Sequence, residues 1–148
     1  MTTRHMQLAA AIAERLRLDP AIVGCRVYVN RVRALGSDKQ AALVVRLGRA
    51  ASEEAAVVGG RTAWSILIEI ECYGRDGADD VPGTAADQLL EKVFDNLDEA
   101  DLGYGVLSIA PLAGDTLAWD FEQADTAIAC VVARFVVKHQ TNGRTLKL

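Results

Sequence analysis

Apolar positions along the chain follow two different periods, and the switches between them mark the elements. Between residues 3 and 18, Leu8, Ile12 and Leu16 recur at four-residue steps among Ala9, Ala10, Ala11 and Ala13. This spacing predicts a helix with Arg4, Glu14, Arg15 and Arg17 on its solvent side. Asp19-Pro20 ends it, because the residue before a proline is pushed out of the helical region. Residues 25–32 then alternate, with Cys25, Val27 and Val29 on one side and Arg26, Tyr28 and Asn30 on the other. A turn follows at Leu35-Gly36-Ser37-Asp38. A half-buried strand comes next, with Ala41, Leu43, Val45 and Leu47 set against Ala42, Val44 and Arg46.

Residues 48–60 carry neither period and read as a long loop. Such a loop inside a compact domain is uncommon unless it has a function or stays disordered. Its apolar pair, Val57 and Val58, beside Gly59 and Gly60, suits an arm that orders on a neighbouring subunit. Residues 62–73 alternate again. Trp64, Ile66, Ile68, Ile70 and Cys72 form a core face, and Ser65, Leu67, Glu69, Glu71 and Tyr73 form the other. After an Asp- and Gly-rich loop, Thr84 with Asp87 predicts an approximate capping box. The helix behind it runs from about residue 85 to 100. Its buried stripe is Leu89, Leu90, Val93, Phe94 and Leu97, and its exterior is acidic: Asp87, Glu91, Asp95, Asp98 and Glu99. Leu102-Gly103 closes it. Residues 106–112 and 116–121 flank Gly114-Asp115, which predicts a hairpin. A last strand over about residues 125–138 is apolar on both faces, so it is expected in the middle of the sheet.

This order predicts an α+β fold: a largely antiparallel (mixed) β-sheet with two α-helices packed on one face. Residues 1–140 are expected to form one domain with the long loop at 48–60, and residues 141–148 a flexible tail. The length of 148 residues suffices for a real core. No apolar run approaches a membrane span, and no signal-peptide core follows the N-terminus, so a cytoplasmic chain is expected. The three cysteines, Cys25, Cys72 and Cys130, sit in apolar strand-like runs without metal-ligand spacing and read as buried free thiols.

Charge changes the picture more than composition does. Residues 1–61 hold ten Lys/Arg and five Asp/Glu, a net of +5; residues 62–148 hold six and fifteen, a net of −9. If folding does not mix the halves in space, the basic part of one copy can meet the acidic part of the next.

No constellation points to catalysis. Asp76, Asp79 and Asp80 share a loop but lack the spacing and closing glutamate of a calcium loop. They suit a solvated turn ahead of a helix N-terminus. Glu69 and Glu71 point to one side of a strand; pairing with Arg134 and Lys138 fits better than acid–base work. Gly59-Gly60-Arg61-Thr62 leads into a strand, whereas a phosphate cradle leads into a helix. Ser65 and Ser108 lack a nucleophile-elbow context, and neither His5 nor His139 lies in a partnering motif. Arg26, Arg31, Arg33, Arg46 and Arg49 could form a basic patch with Tyr28, but an acidic chain argues against tight nucleic-acid binding.

In size and layout the chain resembles the tail terminator proteins of long-tailed bacteriophages, the minor tail proteins of the U type. The resemblance rests on the N-terminal helix, the strand Trp64-Ser65-Ile66-Leu67-Ile68-Glu69-Ile70-Glu71-Cys72-Tyr73, the helix after it, the Gly-Asp turn, and the closing strand ending near Lys138-His139-Gln140. It implies a non-enzymatic virion and assembly protein with no cofactor and no metal. Such proteins form hexameric rings that cap the tail tube, stop its polymerisation and present the head-attachment surface. The implied partners are copies of the chain, a tail-tube protein and a head-connector protein. DNA would pass through the lumen without specific binding, which an acidic wall favours. Arg31, Arg33, Arg46, Arg49, Glu69, Glu71, Val57 and Val58 are the expected subunit contacts. Two rival readings are a head-closure or neck protein and a small ligand-binding α+β domain with a cleft near Asp76, Asp79 and Asp80, in which Glu69, Glu71 and His139 would share a pocket.

Overall fold

The computed structural model describes residues 2–22, 26–30, 41–53, 60–77, 81–98, 100–103, 105–120, 128–143 and 145–147. The elements are α1 (Arg4–Arg17), β1 (Val27–Val29), β2 (Ala41–Ser52), β3 (Thr62–Arg75), α2 (Thr84–Leu97), β4 (Val106–Pro111), β5 (Leu117–Asp120) and β6 (Ile128–Thr141). The strands form one sheet in the order β1-β2-β3-β6-β4, with β5 also paired to β6. Only β1 and β2 run parallel; the other pairs are antiparallel. This is the α+β arrangement expected, with the closing strand inside the sheet.

Alternation decides which side of each strand is dry. Leu43 and Val45 on β2, Ile66, Ile68, Ile70 and Cys72 on β3, and Val131, Ala133, Phe135 and Val137 on β6 join one buried cluster. Leu8, Ile12 and Leu16 of α1 and Leu89, Leu90, Val93 and Leu97 of α2 complete it. Helix α1 lies on β1 and β2, and α2 lies on β3 and β6. The Thr3 hydroxyl caps α1 by accepting from the Met6 N–H at 3.4 Å, filling one of the donors a helix start leaves open. At its far end Arg15 Nε donates to the Asn96 carbonyl at 3.1 Å, and Asn96 Nδ2 donates to Asp19 at 3.0 Å, tying the two helices together.

Three local expectations are corrected. Strand β2 continues through Ser52, pairing Ala50 with Ile66, Ala51 with Ser65 and Ser52 with Trp64. Residues 48–52, expected in the long loop, are therefore strand. They escaped notice because a bulge between Leu47 and Ala50 resets the alternation. Gly48 sits in that bulge, where a Cβ would come within 3.0 Å of Leu67 Cδ2. Residues 54–59, including Val57 and Val58, lie outside the described residues.

The second correction concerns the cap of α2. The N-cap is Gly83, held at φ 92°, and it has no side chain to offer. Asp76 supplies the missing acceptor: its carboxylate takes the Gly83 N–H at 2.8 Å and the Ala85 N–H at 2.9 Å. Thr84 does not cap; its hydroxyl donates to the Val81 carbonyl at 2.7 Å. A single loop acid thus satisfies two open donors at a positive helix end. Gly74 lets α2 lie this close to β3, since an added Cβ would stand 2.8 Å from Ala85 Cβ and still nearer the helix backbone.

The third correction removes the hairpin. Strands β4 and β5 both run antiparallel to β6, β4 along residues 135–139 and β5 along residues 130–133. They are successive pieces of one edge, travelling in the same direction. Residues 112–116 leave that edge and return to it around one residue. The Leu112 N–H donates to the Arg134 carbonyl at 2.9 Å, and the Arg134 N–H donates to the Thr116 carbonyl at 2.8 Å. Gly114 at φ 87° makes the reversal. The Gly-Asp turn signal was sound, but it serves an excursion within one edge.

Candidate functional site

The strand residues of opposite parity form a second sheet face, which no helix covers among the described residues. Register puts three charged residues in one row across its middle: Arg46 opposite Glu69, and Glu69 opposite Arg134. An apolar row, Leu67 opposite Val136 opposite Ala110, lies on one side of it. The row on the other side, Val44, Glu71, Val132 and Ala118, is apolar apart from Glu71.

The charges do not all pair as register suggests. Arg46 reaches diagonally to Glu71, and the Tyr73 hydroxyl donates to the same carboxylate at 2.7 Å. That hydrogen bond to Glu71 holds the Arg46 guanidinium above its usual range. Burial, and then the bond to Glu71, pushes the Tyr73 phenol up. Burial likewise pushes the neighbouring Cys130 thiol up to about 12, with Glu71 adding to it. Cys72 is raised by burial too, so both described cysteines are free, buried and inert. Arg134 turns away from Glu69 and meets Asp115 at 3.2 Å, so the excursion is pinned to the strand it straddles. Glu69 forms no ion pair among the described residues, although two arginines flank it in register.

Of the residues expected at subunit contacts, Arg46, Glu69 and Glu71 therefore meet on this face, and Arg46 and Glu71 satisfy each other inside the chain. Arg49 is exposed at the bulge, beside a cavity of about 180 Å³ lined with Leu67, Leu112 and Val136. Arg31, Arg33, Val57 and Val58 lie outside the described residues.

On the helix side, a groove of about 270 Å³ runs between α2 and β4. Phe94, Leu97, Ile109, Pro111 and Phe135 line it, and Asp95 and Asp98 stand at its rim. Phe94 and Phe135 meet there with ring centres 5.0 Å apart. Asp87 and Glu91 extend the acidic exterior of α2 away from it.

The histidines form a cluster that sequence reasoning missed. His5 Nδ1 lies 3.1 Å from His139 Nε2, across 134 residues of chain. Both rings meet edge-on, and His5 packs edge-on against Trp64, centres 4.9 Å apart. Trp64 Nε1 donates to Thr141 Oγ1 at 2.9 Å. His139 is fully buried, and its Nδ1 has no hydrogen-bond partner among the described residues. Burial, then His5 and Arg4, lower the His139 pKa to about 4; burial lowers that of His5. Both imidazoles are thus neutral near pH 7. The available signal was parity: His139 shares the face of Val137 and Phe135, so a strand reading alone would have placed it inside.

This placement also separates the set on which a ligand-binding reading depends. His139 lies on the helix-covered face, and Glu69 and Glu71 lie on the other. Asp76 is engaged in capping α2, while Asp79 and Asp80 lie outside the described residues. Among the described residues no group of three His, Cys, Asp or Glu side chains could hold a metal ion.

Among the described residues, those of 1–61 (α1, β1 and β2) carry seven Lys/Arg and three Asp/Glu, and those of 62–148 carry five and ten; the two parts adjoin along β2 and β3, where Arg46 meets Glu71. The acidic rim of the groove lies at the β4 end, across the sheet from β1.

The sequence matches no family model, and no curated protein matches it. Among solved structures the fold is similar to a chain of the virion of a native gene transfer agent (GTA) particle. The TM-score is 0.62 at 23% identity, over 90% of this chain and 94% of that one.

Proposed function

We propose that this chain is a virion structural protein of a phage-like particle, and within that class a tail terminator. It assembles head to tail into a ring, hexameric in the family it resembles. The ring caps the tail tube and presents the surface for head attachment. It acts without catalysis, in the host cytoplasm during assembly and in the virion tail afterwards. The observation that carries the reading is the uneven charge of the two parts of the sheet, net positive over the described residues of 1–61 and net negative over those of 62–148. A subunit with one basic and one acidic flank favours a heterologous contact, which closes into a ring when its rotation allows. The shared fold with a chain of a phage-like virion supports the same reading.

The proposed contacts lie mostly on the basic half: Arg31, Arg33, Arg49, Val57 and Val58, with Glu69 opposite. Arg46 and Glu71 contribute by holding β2 and β3 in register. The acidic balance of the chain suits a lumen through which DNA slides without being held.

Electron microscopy of the purified protein at high concentration tests the ring directly. Rings are expected. A strict monomer at every concentration, with and without tail-tube protein, would overturn the reading. Retention assays then place the ring: tail-tube protein is expected to be held, whereas capture of a connector protein alone would reassign the chain to head closure.

A further inference from the structure

We propose that Asn142 is a covalent modification site of this chain, converting spontaneously to aspartate and isoaspartate through its bond to Gly143, and that the change loosens the start of α1. The chain has three asparagines, Asn30, Asn96 and Asn142. The first two are engaged: Asn30 Oδ1 accepts from the Leu47 N–H at 3.0 Å, and Asn96 Nδ2 donates to Asp19 from within α2. Asn142 is exposed in the turn after β6, and its side chain has no hydrogen-bond partner among the described residues. Asp76 also precedes a glycine, but the Gly83 and Ala85 N–H groups hold its carboxylate.

Gly143 supplies the attacking atom. Its nitrogen has no acceptor among the described residues, while its carbonyl accepts from the Thr62 hydroxyl. It stands at φ 52°, and no atom lies within 4 Å of where a Cβ would be. A glycine leaves the approach to its own nitrogen unhindered. That nitrogen, on losing its proton, attacks Cγ of Asn142. The Cγ–Nδ2 bond breaks, and Nδ2 leaves as ammonia. Water, the only co-reactant, then opens the resulting succinimide at either carbonyl. One product is aspartate; the other is isoaspartate, in which the main chain runs through the side chain. The lengthened chain disturbs a turn held by the Asn142 N–H on the Lys147 carbonyl at 2.8 Å and by the Thr145 N–H on the Asn142 carbonyl at 3.0 Å. The same turn offers the Leu146 carbonyl to the Arg4 N–H at 2.9 Å, where α1 begins.

The full-length protein, aged in solution at about pH 8, tests this. The tryptic peptide 139–144 is followed by mass spectrometry for exchange of amide for acid, and isoaspartyl methyltransferase reports the isoaspartate. Asn142 is expected to react at least tenfold faster than Asn30 or Asn96, and within about tenfold of its rate in the chain unfolded by urea. Asn142→Gln should abolish the reaction at this position, and Gly143→Ala should slow it at least tenfold. Equal rates at the three asparagines, or a folded rate more than tenfold below the unfolded one, would overturn the site. Hydrogen exchange reads the consequence: the Arg4 amide should exchange several-fold faster in aged protein than in fresh. Asn142→Asp, which adds the charge without lengthening the chain, should leave that amide within about twofold of wild type. Unchanged exchange in fully converted protein would overturn the link to α1.

Discussion

Ile68 and Leu67 are neighbours on β3, yet they belong to different parts of the molecule. Ile68 points under the helices and is fully buried among residues of both helices and three strands. Leu67 points to the other face, beside the β2 bulge, and is half-buried. The same contrast repeats along residues 131–138 of β6, whereas on β2 Ala42 and Val44 of the second face are buried as well. The helix side is packed and almost entirely apolar, closed by a neutral histidine pair. The other side mixes aliphatic rows with a charged row whose partners cross diagonally. One face is built to exclude water within the subunit. The other is built to stay compatible with water, and it carries the cations nearest the bulge. A sheet with two such faces separates the packed interior of the fold from a more open, charged surface largely by strand parity.

Truncating the two neighbours breaks that comparison most sharply. Ile68→Ala leaves a cavity under two helices and is expected to cost about 4 kcal/mol in urea unfolding. Leu67→Ala removes a similar volume where solvent and loose packing can compensate, and is expected to cost about 1 kcal/mol or less. Equal costs would mean that the second face is as closed as the first.

The histidine pair offers a pH test of the packed side. The folded state holds His139 at about 4, against 6.5 for a free imidazole. A lowered histidine pKa means that the unfolded chain binds protons first. Its contribution is fully present above about pH 6.5 and drains away as pH falls toward about 4. The loss is expected to be roughly 2 kcal/mol, given about 1.4 kcal/mol per pKa unit and some relief by entering water. Carboxylates titrate in the same range, so the informative quantity is the difference between the wild type and His139→Gln. The variant should be less stable at pH 7.5, with the gap narrowing by pH 4.5. A constant gap would show that the cluster packs without sensing protons.

Much of this architecture was legible in the alternation itself. The stripe Leu89, Leu90, Val93 and Leu97 and the face Ile66, Ile68, Ile70 and Cys72 are buried as their spacing predicts. What failed was local and had physical causes. A bulge hid the end of β2, because alternation shifts by one residue there. A turn signal was read as a hairpin, because Gly114-Asp115 reverses the chain equally well in an excursion. Asp76 as the cap of α2, and His5 against His139, depend on contacts across 9 and 134 residues that no local pattern encodes. Among the proposed contact residues, Arg46 and Glu71 could be placed on one face from sequence, but not recognised as each other's partners.

The Asp76 cap is a smaller effect and belongs to neither face. Asp76→Ala removes two charge-assisted hydrogen bonds from the start of α2 and is expected to cost about 1–2 kcal/mol. Hydrogen exchange at Gly83 and Ala85 should quicken before the rest of α2 responds. Thr84→Val, by contrast, should leave those amides unchanged, because Thr84 is not the cap.

The smallest expected effect sharpens the comparison from the other side. Arg46 and Glu71 are an ion pair on a partly exposed sheet face, with side chains 31% and 15% accessible. Pairs in such settings contribute about 0.5–1 kcal/mol. A double-mutant cycle with Arg46→Ala and Glu71→Ala should return a coupling energy in that range, because Tyr73 continues to satisfy Glu71 when Arg46 is gone. The cycle also separates two roles for the arginine. If Arg46 acts within the subunit, the coupling appears in monomer unfolding, and the association of Arg46→Ala stays within a few-fold of wild type. If the coupling is near zero and association drops tenfold or more, Arg46 instead reaches a neighbouring copy. The charged row of the second face would then be part of the contact between subunits.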